Sequence, residues 1–517
     1  MSLRFVPTPL AGGVSKAALE AARDGQSARR LEPAAEGCFL ARGAADANLA
    51  ALLGGDALCV TTGQQPGLFT GPLYSVHKAL TAAALAERLA ATWGRPVVPV
   101  FWVAGDDHDF AEVGSCRVLA ADGACETVPL RERPADAPML PAYREILGAE
   151  VGSALARMEA LLPPSEFRAT VLGWLRASYL PERSLAEAFA GALADLLAPA
   201  GVVVLRGWCG ELKLAASDVL LGALRRAGEL EAALSRRCGE LGAAGRESPV
   251  EVGKGLALVL VEGAVGRDRL LVEGGAGFVA RRSRETFDIQ AIEKLLADAP
   301  ERLSPNVLLR PVVEARALPT VAYVGGPAEL AYLAQTEPLF EAFGVPRPAP
   351  VPRLSGLLVD GRTLETLERH DLAAEDLARP EGDLESAAAR QALPASAAAA
   401  LEALRRSLEE GFESLARESA AVDPTLREAV GSARNRALAA AGEVERKLLA
   451  ALKRGEETSL RRLRRARLAL YPGGEPQERV YTAASFLSRH GGRVLEVLRE
   501  AAREHARLLL EAGSPEP

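Results

Sequence analysis

The sequence predicts an α/β protein: a parallel-sheet core carrying two inserted segments, followed by a long α-helical domain. Three observations predict it. Residues 57–104 read as strand, glycine-rich loop, helix and strand; residues 320–343 repeat the order strand, glycine turn, helix; and from residue 357 the chain narrows to Ala, Leu, Glu and Arg with leucines at heptad-like spacing. At 517 residues the chain exceeds what one core holds, so two or three structural units are expected.

In the first unit, residues 57–62 are a short apolar run ending at Gly63, the pattern of a buried strand leaving a sheet. From Gly71 to Trp93 apolar positions recur at helical spacing, with Pro72 in the first turn, where its missing N–H has no intrahelical partner to lose. Residues 97–104 are a second apolar run, closed by Gly105 and the cluster Asp106, Asp107, His108 and Asp109. Ligand crevices of open parallel sheets lie beyond the C-terminal strand ends. The loop at residues 64–70 and the acidic cluster are therefore expected to face one cleft.

The remaining elements follow from the same patterns. Residues 1–55 hold short Ala-rich helical segments, so residues 1–110 form the N-terminal part of the core. Residues 111–200 form a first insert: a hairpin over 115–130 with Asp122-Gly123 as its turn, a helix over 165–179, and a helix over 184–197 capped by Ser184 with Glu187 three residues on. A β-branched run at 201–205 returns to the sheet within a core segment of residues 201–210. Residues 211–299 form a second insert, two helices followed by strand-like runs at 256–261, 270–272 and 278–280. The core resumes over residues 300–356, with a strand at 320–324, a helix at 328–343, and a rigid non-helical exit at Pro346, Pro348, Pro350 and Pro352. Residues 357–470 read as a coiled-coil domain. Leu401, Leu404, Leu408 and Leu415 lie on one seam, Asp423-Pro424 breaks the pattern, and Ala441, Val444, Leu448 and Leu452 resume it, which suggests an antiparallel hairpin. One apolar stripe of such a hairpin stays open, and a second copy of the chain is the simplest cover, so a homodimer is expected. Residues 471–517 are expected to be helices packing back on the core.

Composition narrows the function. A net charge of −7 disfavours a general polyanion-binding surface, so no nucleic-acid partner is expected. No basic segment followed by an apolar stretch opens the chain, and no run approaches the roughly 18 uncharged apolar residues of a membrane helix. A cytoplasmic protein without a membrane partner is expected. Cys38, Cys59, Cys116, Cys125, Cys209 and Cys238 form no CxxC pair and show no zinc-like spacing; they read as reduced, mostly buried residues rather than structural metal ligands.

Each motif carries a chemical and a structural reading. The loop from Gly63 to Gly71 offers backbone N–H groups at a helix N-terminus, a place for a phosphate or carboxylate, or else it is a tight turn whose glycines serve packing. Gln64, Gln65, Thr70 and Tyr74 add neutral hydrogen-bonding groups there. His77 and Lys78 follow about two turns into the helix, and His77 can share a face with Tyr74. The acidic cluster can hold Mg²⁺, grip an ammonium or take a proton, or it can be solvated turn and helix-cap residues. Near the second glycine turn, Asn306, Arg310, Gly325, Gly326, Glu329 and Tyr332 gather; Arg310 can fork onto a carboxylate or phosphate, or pair with Glu314. Arg353 and the basic run at 461–467 read as solvated surface.

The segments GQQPGLFTGPLYSVHK (63–78) and PVFWVAGDDHD (99–109), followed by residues 304–332, PRPAPVPRL (346–354) and PQERVYTAASFLSRHGG (476–492), resemble the bacillithiol biosynthesis cysteine-adding enzyme family, BshC, over nearly the whole chain. The resemblance implies a Rossmann-like core related to class I aminoacyl-tRNA synthetases, two connecting inserts and a coiled coil. It implies a ligase that joins cysteine to glucosaminyl malate through an amide bond, with ATP activating the carboxylate as a cysteinyl adenylate and Mg²⁺ as a possible companion. On that reading Gly67, Thr70, Gly71 and His77 meet phosphates, Asp106 or Asp107 meets a metal or the cysteine amine, and His108 or Asp109 is the base. Neither synthetase signature, HIGH or KMSKS, is present as written. Glu478, Arg479, Tyr481, Arg489 and His490 therefore form an alternative, second nucleotide pocket, or else part of a plain docking helix. Two rival functions stand beside this one: a nucleotide-dependent ligase for another amino acid, and a non-catalytic dimeric coiled-coil scaffold.

Overall fold

The computed structural model describes residues 2–10, 12–134, 136–273 and 277–513. Two compact units divide the chain, one built from residues 3–358 with 477–517 and one built on residues 359–476. The last four residues of the expected 471–517 segment lie outside the described residues.

The first unit is organised on a six-stranded sheet in the order Ala349–Pro352, Thr320–Gly325, Leu58–Gln64, Val97–Val103, Val203–Arg206, Phe39–Leu40. Every pairing is parallel except the last, where the short Phe39–Leu40 strand closes the edge antiparallel to Val203–Arg206. Leu58–Gln64 starts the parallel set, and the chain then adds strands to one side before crossing to the other. The switch point thus lies between Leu58–Gln64 and Thr320–Gly325, where an open α/β sheet leaves a crevice at its C-terminal edge. The proline-rich exit is itself a strand. Ala349–Pro352 pairs on one side only, and an edge position is where strand prolines, lacking N–H donors, cost no ladder bond.

The Tyr74–Trp93 helix is buried over most of its length, between the sheet strands and the C-terminal Arg493–Ala512 helix. Even its polar residues Ser75, His77, Lys78 and Thr81 are buried. Pro72 does not open this helix; it stands two residues ahead of it, bridged to Thr482 of the returning C-terminal segment.

The first insert contains the Ser115–Leu119 and Cys125–Pro129 hairpin, turned at Gly123 with φ 91°, and the Leu185–Leu197 helix opened by the Ser184–Glu187 capping box. The second differs in detail from expectation. Three helices, Gly210–Ala215, Ser217–Arg225 and Ala227–Ala243, stand where two were read, because the backbone leaves helical geometry at Ala216 and Arg226. Its antiparallel sheet runs Thr286–Asp288, Gly277–Ala280, Gly266–Glu273, Leu256–Gly263, Leu303–Pro305. The last of these falls in the stretch assigned to the core, and three residues are too short to show any period in sequence. Residues 328–343 likewise form two helices, Pro327–Gln335 and Glu337–Phe343, parted at Thr336 ahead of Pro338.

In the second unit, Ala395–Val422 and Leu426–Gly455 form the expected hairpin across an Asp423 turn, in which the carboxylate accepts the Thr425 N–H at 2.8 Å. A third helix, Glu457–Leu470, carries the basic run on its surface, where Arg464 pairs with Glu381 at 3.0 Å and also with Glu385. None of the described residues of Ala395–Val422 is buried, and Leu404, Leu415, Val444 and Leu448 are exposed.

Candidate functional site

A cleft of about 680 Å³ opens at the switch point. Gly63, Gln64 and Gln65 enter it from the end of one strand, Asp106 to Asp109 from the next, and Gly326, Glu329 and Tyr332 from beyond the third. The facing wall is supplied by the second insert, with Leu258, Leu260, Arg267 and Arg269, together with Asn306 and Arg310. The expectation that the first loop and the acidic cluster share a cleft therefore holds for Gln64 and Gln65.

It does not hold for the far half of that loop. Gly67, Thr70 and Gly71 are packed away from the cleft. A Cβ at Gly67 would stand 2.8 Å from the Gly71 Cα, so these glycines serve close backbone approach. Phe69 and Thr70 adopt left-handed φ values of 49° and 73°, which non-glycine residues hold only when surroundings impose them. The imposing groups are Tyr179, whose hydroxyl accepts the Thr70 N–H at 2.7 Å and donates to Gly67 O at 3.2 Å, and Thr482, whose hydroxyl donates to Phe69 O at 2.5 Å. The Leu73 N–H at the helix start is taken by Tyr481 O at 2.8 Å. With these donors spent inside the protein, this turn does not fit a phosphate cradle.

His77 does not line the cleft either. Its Nδ1 stands 2.9 Å from Glu478 Oε2, fully buried, with the ring edge-on to Phe5. Glu478 also receives Arg353 Nη2 at 2.7 Å, the Ser355 hydroxyl at 2.6 Å and the Gly356 N–H at 2.9 Å. Burial alone would raise the Glu478 carboxyl, but the His77 and Arg353 contacts outweigh it and hold it well below the usual carboxylate range. Arg353, read as solvated surface, is 8 % exposed and caps the Tyr74 ring at 5.3 Å. The tail does return to the core, where most of the residues expected to form a second nucleotide pocket are engaged within the protein. Tyr481 is wholly buried edge-on against Phe486, Arg489 donates to the carbonyls of Ser485, Leu119 and Ala120, and neither they nor His490 line the cleft. Arg479 alone of the five reaches it, as an exposed lining residue.

A buried polar chain supports the cleft floor. Glu314 accepts from Thr61 and pairs with Arg310 at 2.7 Å, the ion pair that sequence spacing allows. Arg310 continues to the hydroxyls of Tyr323 at 3.0 Å and Tyr332 at 3.3 Å, and Tyr323 donates to Glu329 at 3.0 Å. Glu329 closes its own helix cap through the Gly326 N–H at 2.9 Å and meets Lys78 Nζ at 2.5 Å. Lys78, 3 % exposed, donates further to Gly63 O and to Gln64 Oε1, and Gln64 reaches the Tyr74 hydroxyl at 3.0 Å. Asn306 spends its Oδ1 on the N–H groups of Leu308 and Leu309. Gly325 stays inside the sheet, its carbonyl accepting the Arg353 N–H at 3.0 Å.

Across the cleft the acidic cluster divides into unlike roles. Asp106 Oδ2 pairs with the buried Lys213 Nζ at 2.8 Å, leaving Oδ1 buried without a hydrogen-bond partner. Asp107 accepts Gln65 Nε2 at 2.5 Å and the N–H groups of His108 and Asp109. Burial pushes its carboxyl up, but the Gln65 bond and the Arg267 charge prevail and keep it ionised. His108 has its pKa lowered below 6.5, first by burial and then by Arg267, and its buried Nδ1 has no hydrogen-bond partner. Asp109 is a helix cap that accepts the Glu112 N–H at 3.2 Å. These four side chains do not bring three ligand atoms within 4.8 Å of one another. Lys213 and Arg267 escaped sequence reasoning because both lie in the second insert, outside any motif.

With this geometry in place, comparison with known proteins decides the family. The family model described as bacillithiol biosynthesis BshC, N-terminal Rossmann-like domain, matches residues 28–354, and that of the BshC C-terminal coiled-coil domain matches residues 356–507. The chain belongs to the BshC family. A BshC protein of Salinibacter ruber is 32 % identical over 87 % of this chain and 81 % of its own length, and one of Koribacter versatilis is 33 % identical over 86 % and 82 %. Both carry the name "Putative cysteine ligase BshC". The α/β Rossmann-like core with a coiled-coil domain that the sequence predicts is the fold of this family.

The His77–Glu478–Arg353 contact yields a stability prediction. Glu478→Gln is expected to lower the melting temperature of the full chain at pH 7, since removing one partner of a buried charged cluster costs about 3–5 kcal/mol. A carboxyl held low in the folded state contributes above its unfolded value, near 4.5, and loses that contribution as the pH falls below it. The gap between wild type and variant should therefore narrow below pH 4.5 in thermal melts across a pH series.

Proposed function

We propose that this BshC protein is a ligase that forms the amide bond between cysteine and the amine of glucosaminyl malate, with the cysteine carboxylate activated by ATP. The observation that carries this reading is the pairing, on one wall of the cleft, of an ionised carboxylate, Asp107, with an imidazole, His108, held neutral at pH 7. The ligase name carried by the relatives supports it.

Each group has one task. Asp107, fixed by Gln65 and two backbone N–H groups, presents its charge to the cysteine ammonium. His108, uncharged and lining the cleft, takes the proton that the amino-sugar nitrogen loses as it attacks the activated carbonyl. Asp106 is held by Lys213 and orients the start of the segment carrying both. ATP supplies a leaving group that a free carboxylate lacks. Since the Gly67–Gly71 turn is closed, the donor offered to phosphates is Arg479 at the cleft mouth. The inserted sheet with Arg267 covers the reacting carbonyl against water.

Two outcomes test this chemistry. Asp107→Asn, which keeps volume and removes charge, is expected to lower cysteine addition at least tenfold, about 1.4 kcal/mol of transition-state stabilisation, with the melting temperature within a few degrees of wild type. Unchanged activity returns the cluster to turn and capping roles. For His108, activity should fall as the pH drops through a value below 6.5, since protonation removes the base, and His108→Gln should abolish that acid limb in a kcat/KM profile. Absence of cysteine, ATP and glucosaminyl malate binding by calorimetry would favour the scaffold reading instead.

We also infer that a second copy of the chain covers the open hairpin seam. Exposed Leu404, Leu415, Val444 and Leu448 along paired helices form an apolar stripe of the kind that two-fold coiled-coil contacts bury. Leu404→Glu with Leu448→Glu is expected to convert a dimer to a monomer in sedimentation velocity. A dimer surviving both changes places the interface elsewhere.

A further inference from the structure

Away from the cleft, the fold brings two thiols and a carboxylate to one point. Cys38 ends the Pro33–Cys38 turn, while Cys209 and Glu211 flank the start of the Gly210–Ala215 helix, 173 residues separating Cys38 from Glu211. The two Sγ atoms and a Glu211 oxygen all lie within 4.8 Å of one another, and Cys38 Sγ is 3.6 Å from Glu211 Oε2. A tetrahedral zinc with Zn–S near 2.3 Å sets its sulfurs roughly 3.8 Å apart and a sulfur and oxygen ligand roughly 3.5 Å apart. The three side chains are therefore within small rotations of a ligand set. Cysteines serving only as packing have no need of a carboxylate aimed at the buried thiol.

The geometry points to a site for a soft divalent cation of the zinc class, held by the thiolates of Cys38 and Cys209 and the carboxylate of Glu211. Two sulfur ligands select against Mg²⁺ and Ca²⁺, which take oxygen donors. Burial is graded across the site, from Cys38, wholly buried, through half-buried Cys209 to exposed Glu211. The ion thus has an entry path and a fourth position facing solvent, where water completes the tetrahedron. On binding, each thiol releases its proton to solvent as the metal–sulfur bond forms. The helix pinned in this way also carries Lys213, whose Nζ holds Asp106 Oδ2 and Leu303 O, both at 2.8 Å. The ion fixes the Lys213 helix against the Pro33–Cys38 turn and so stiffens the support beneath Asp106. The cysteines show no ligand spacing in sequence because Cys38 and Cys209 lie far apart along the chain and meet only where Phe39–Leu40 pairs with Val203–Arg206.

The test uses the reduced full-length chain under anaerobic conditions, titrated with Co²⁺ alone. A thiolate-to-cobalt charge-transfer band saturating at one ion per chain, and erased by Zn²⁺, is expected. Cys209→Ser and Glu211→Gln should weaken Co²⁺ binding at least tenfold while retaining the wild-type circular dichroism spectrum, and Cys238→Ser should bind as wild type. Neither chosen variant alters the wholly buried Cys38, so the result does not hang on Cys38→Ser folding. The inference is overturned if no band forms, if the band survives in both ligand variants, or if the reduced protein ignores cobalt and a mild disulfide oxidant instead joins Cys38 to Cys209.

Discussion

The ion pair between Lys78 and Glu329 is the contact on which the cleft depends. Lys78 is almost wholly buried on a helix packed between sheet and C-terminal helix, and burial by itself drives an ammonium toward its neutral form. Glu329, aided by the carbonyl of Gly63 and the amide of Gln64, supplies the compensation. The two residues belong to the two strand–glycine–helix units that flank the switch point, so their union fixes one unit against the other. Burying both charges is costly, and breaking such a pair costs more than its formation gains. Its physical yield is register: Gln64, Tyr74, Tyr323 and Tyr332 are held in a single hydrogen-bonded order along the cleft floor.

The opposite wall rests on a different balance. Asp106 and Asp107 stand on adjacent residues after one strand, and two neighbouring carboxylates repel. The second insert resolves this by bringing Lys213 to one and Arg267 near both. Arg267 is itself anchored by Ser304 and the Pro305 carbonyl on another strand of the inserted sheet, so the sheet holds in place one of the groups that neutralise the acidic cluster. Burial, aided by the same positive field, keeps His108 uncharged. One inserted sheet therefore closes the cleft, stabilises its carboxylates and sets the protonation state of its imidazole.

Several elements were legible because their cause is local. Ser184 and Glu187 form a capping box, Asp122-Gly123 turns a hairpin, and Asp423 stops a long helix; each acts within three or four residues. The parallel strands were legible because burial on both faces leaves continuous apolar runs. The Gly67–Gly71 turn stayed open between an anion site and a packing turn for a related reason. Peptide donors at a helix start are visible in sequence, but Tyr179 and Tyr481, which consume them, come from distant segments. His77 and Glu478 were both singled out and placed in separate pockets, although they touch each other. Arg353 was misplaced on the surface because only the returning tail buries it.

What the sequence by itself determined is the set of building blocks: two strand–glycine–helix units, two inserts, a helical hairpin, and the side chains Gln64, Lys78, Asp107, His108 and Glu329 that reach the cleft. Periodicity, caps and turn residues act over one or two turns of chain, and that range is enough to specify them. Tertiary structure alone decided which donors remain free, which carboxylate is ionised, and which cysteines meet. Those outcomes depend on desolvation and on charges brought together across hundreds of residues, as Asp106 with Lys213, His77 with Glu478 and Cys38 with Cys209 are. No pattern along the chain carries them, because each is set by what folding places alongside.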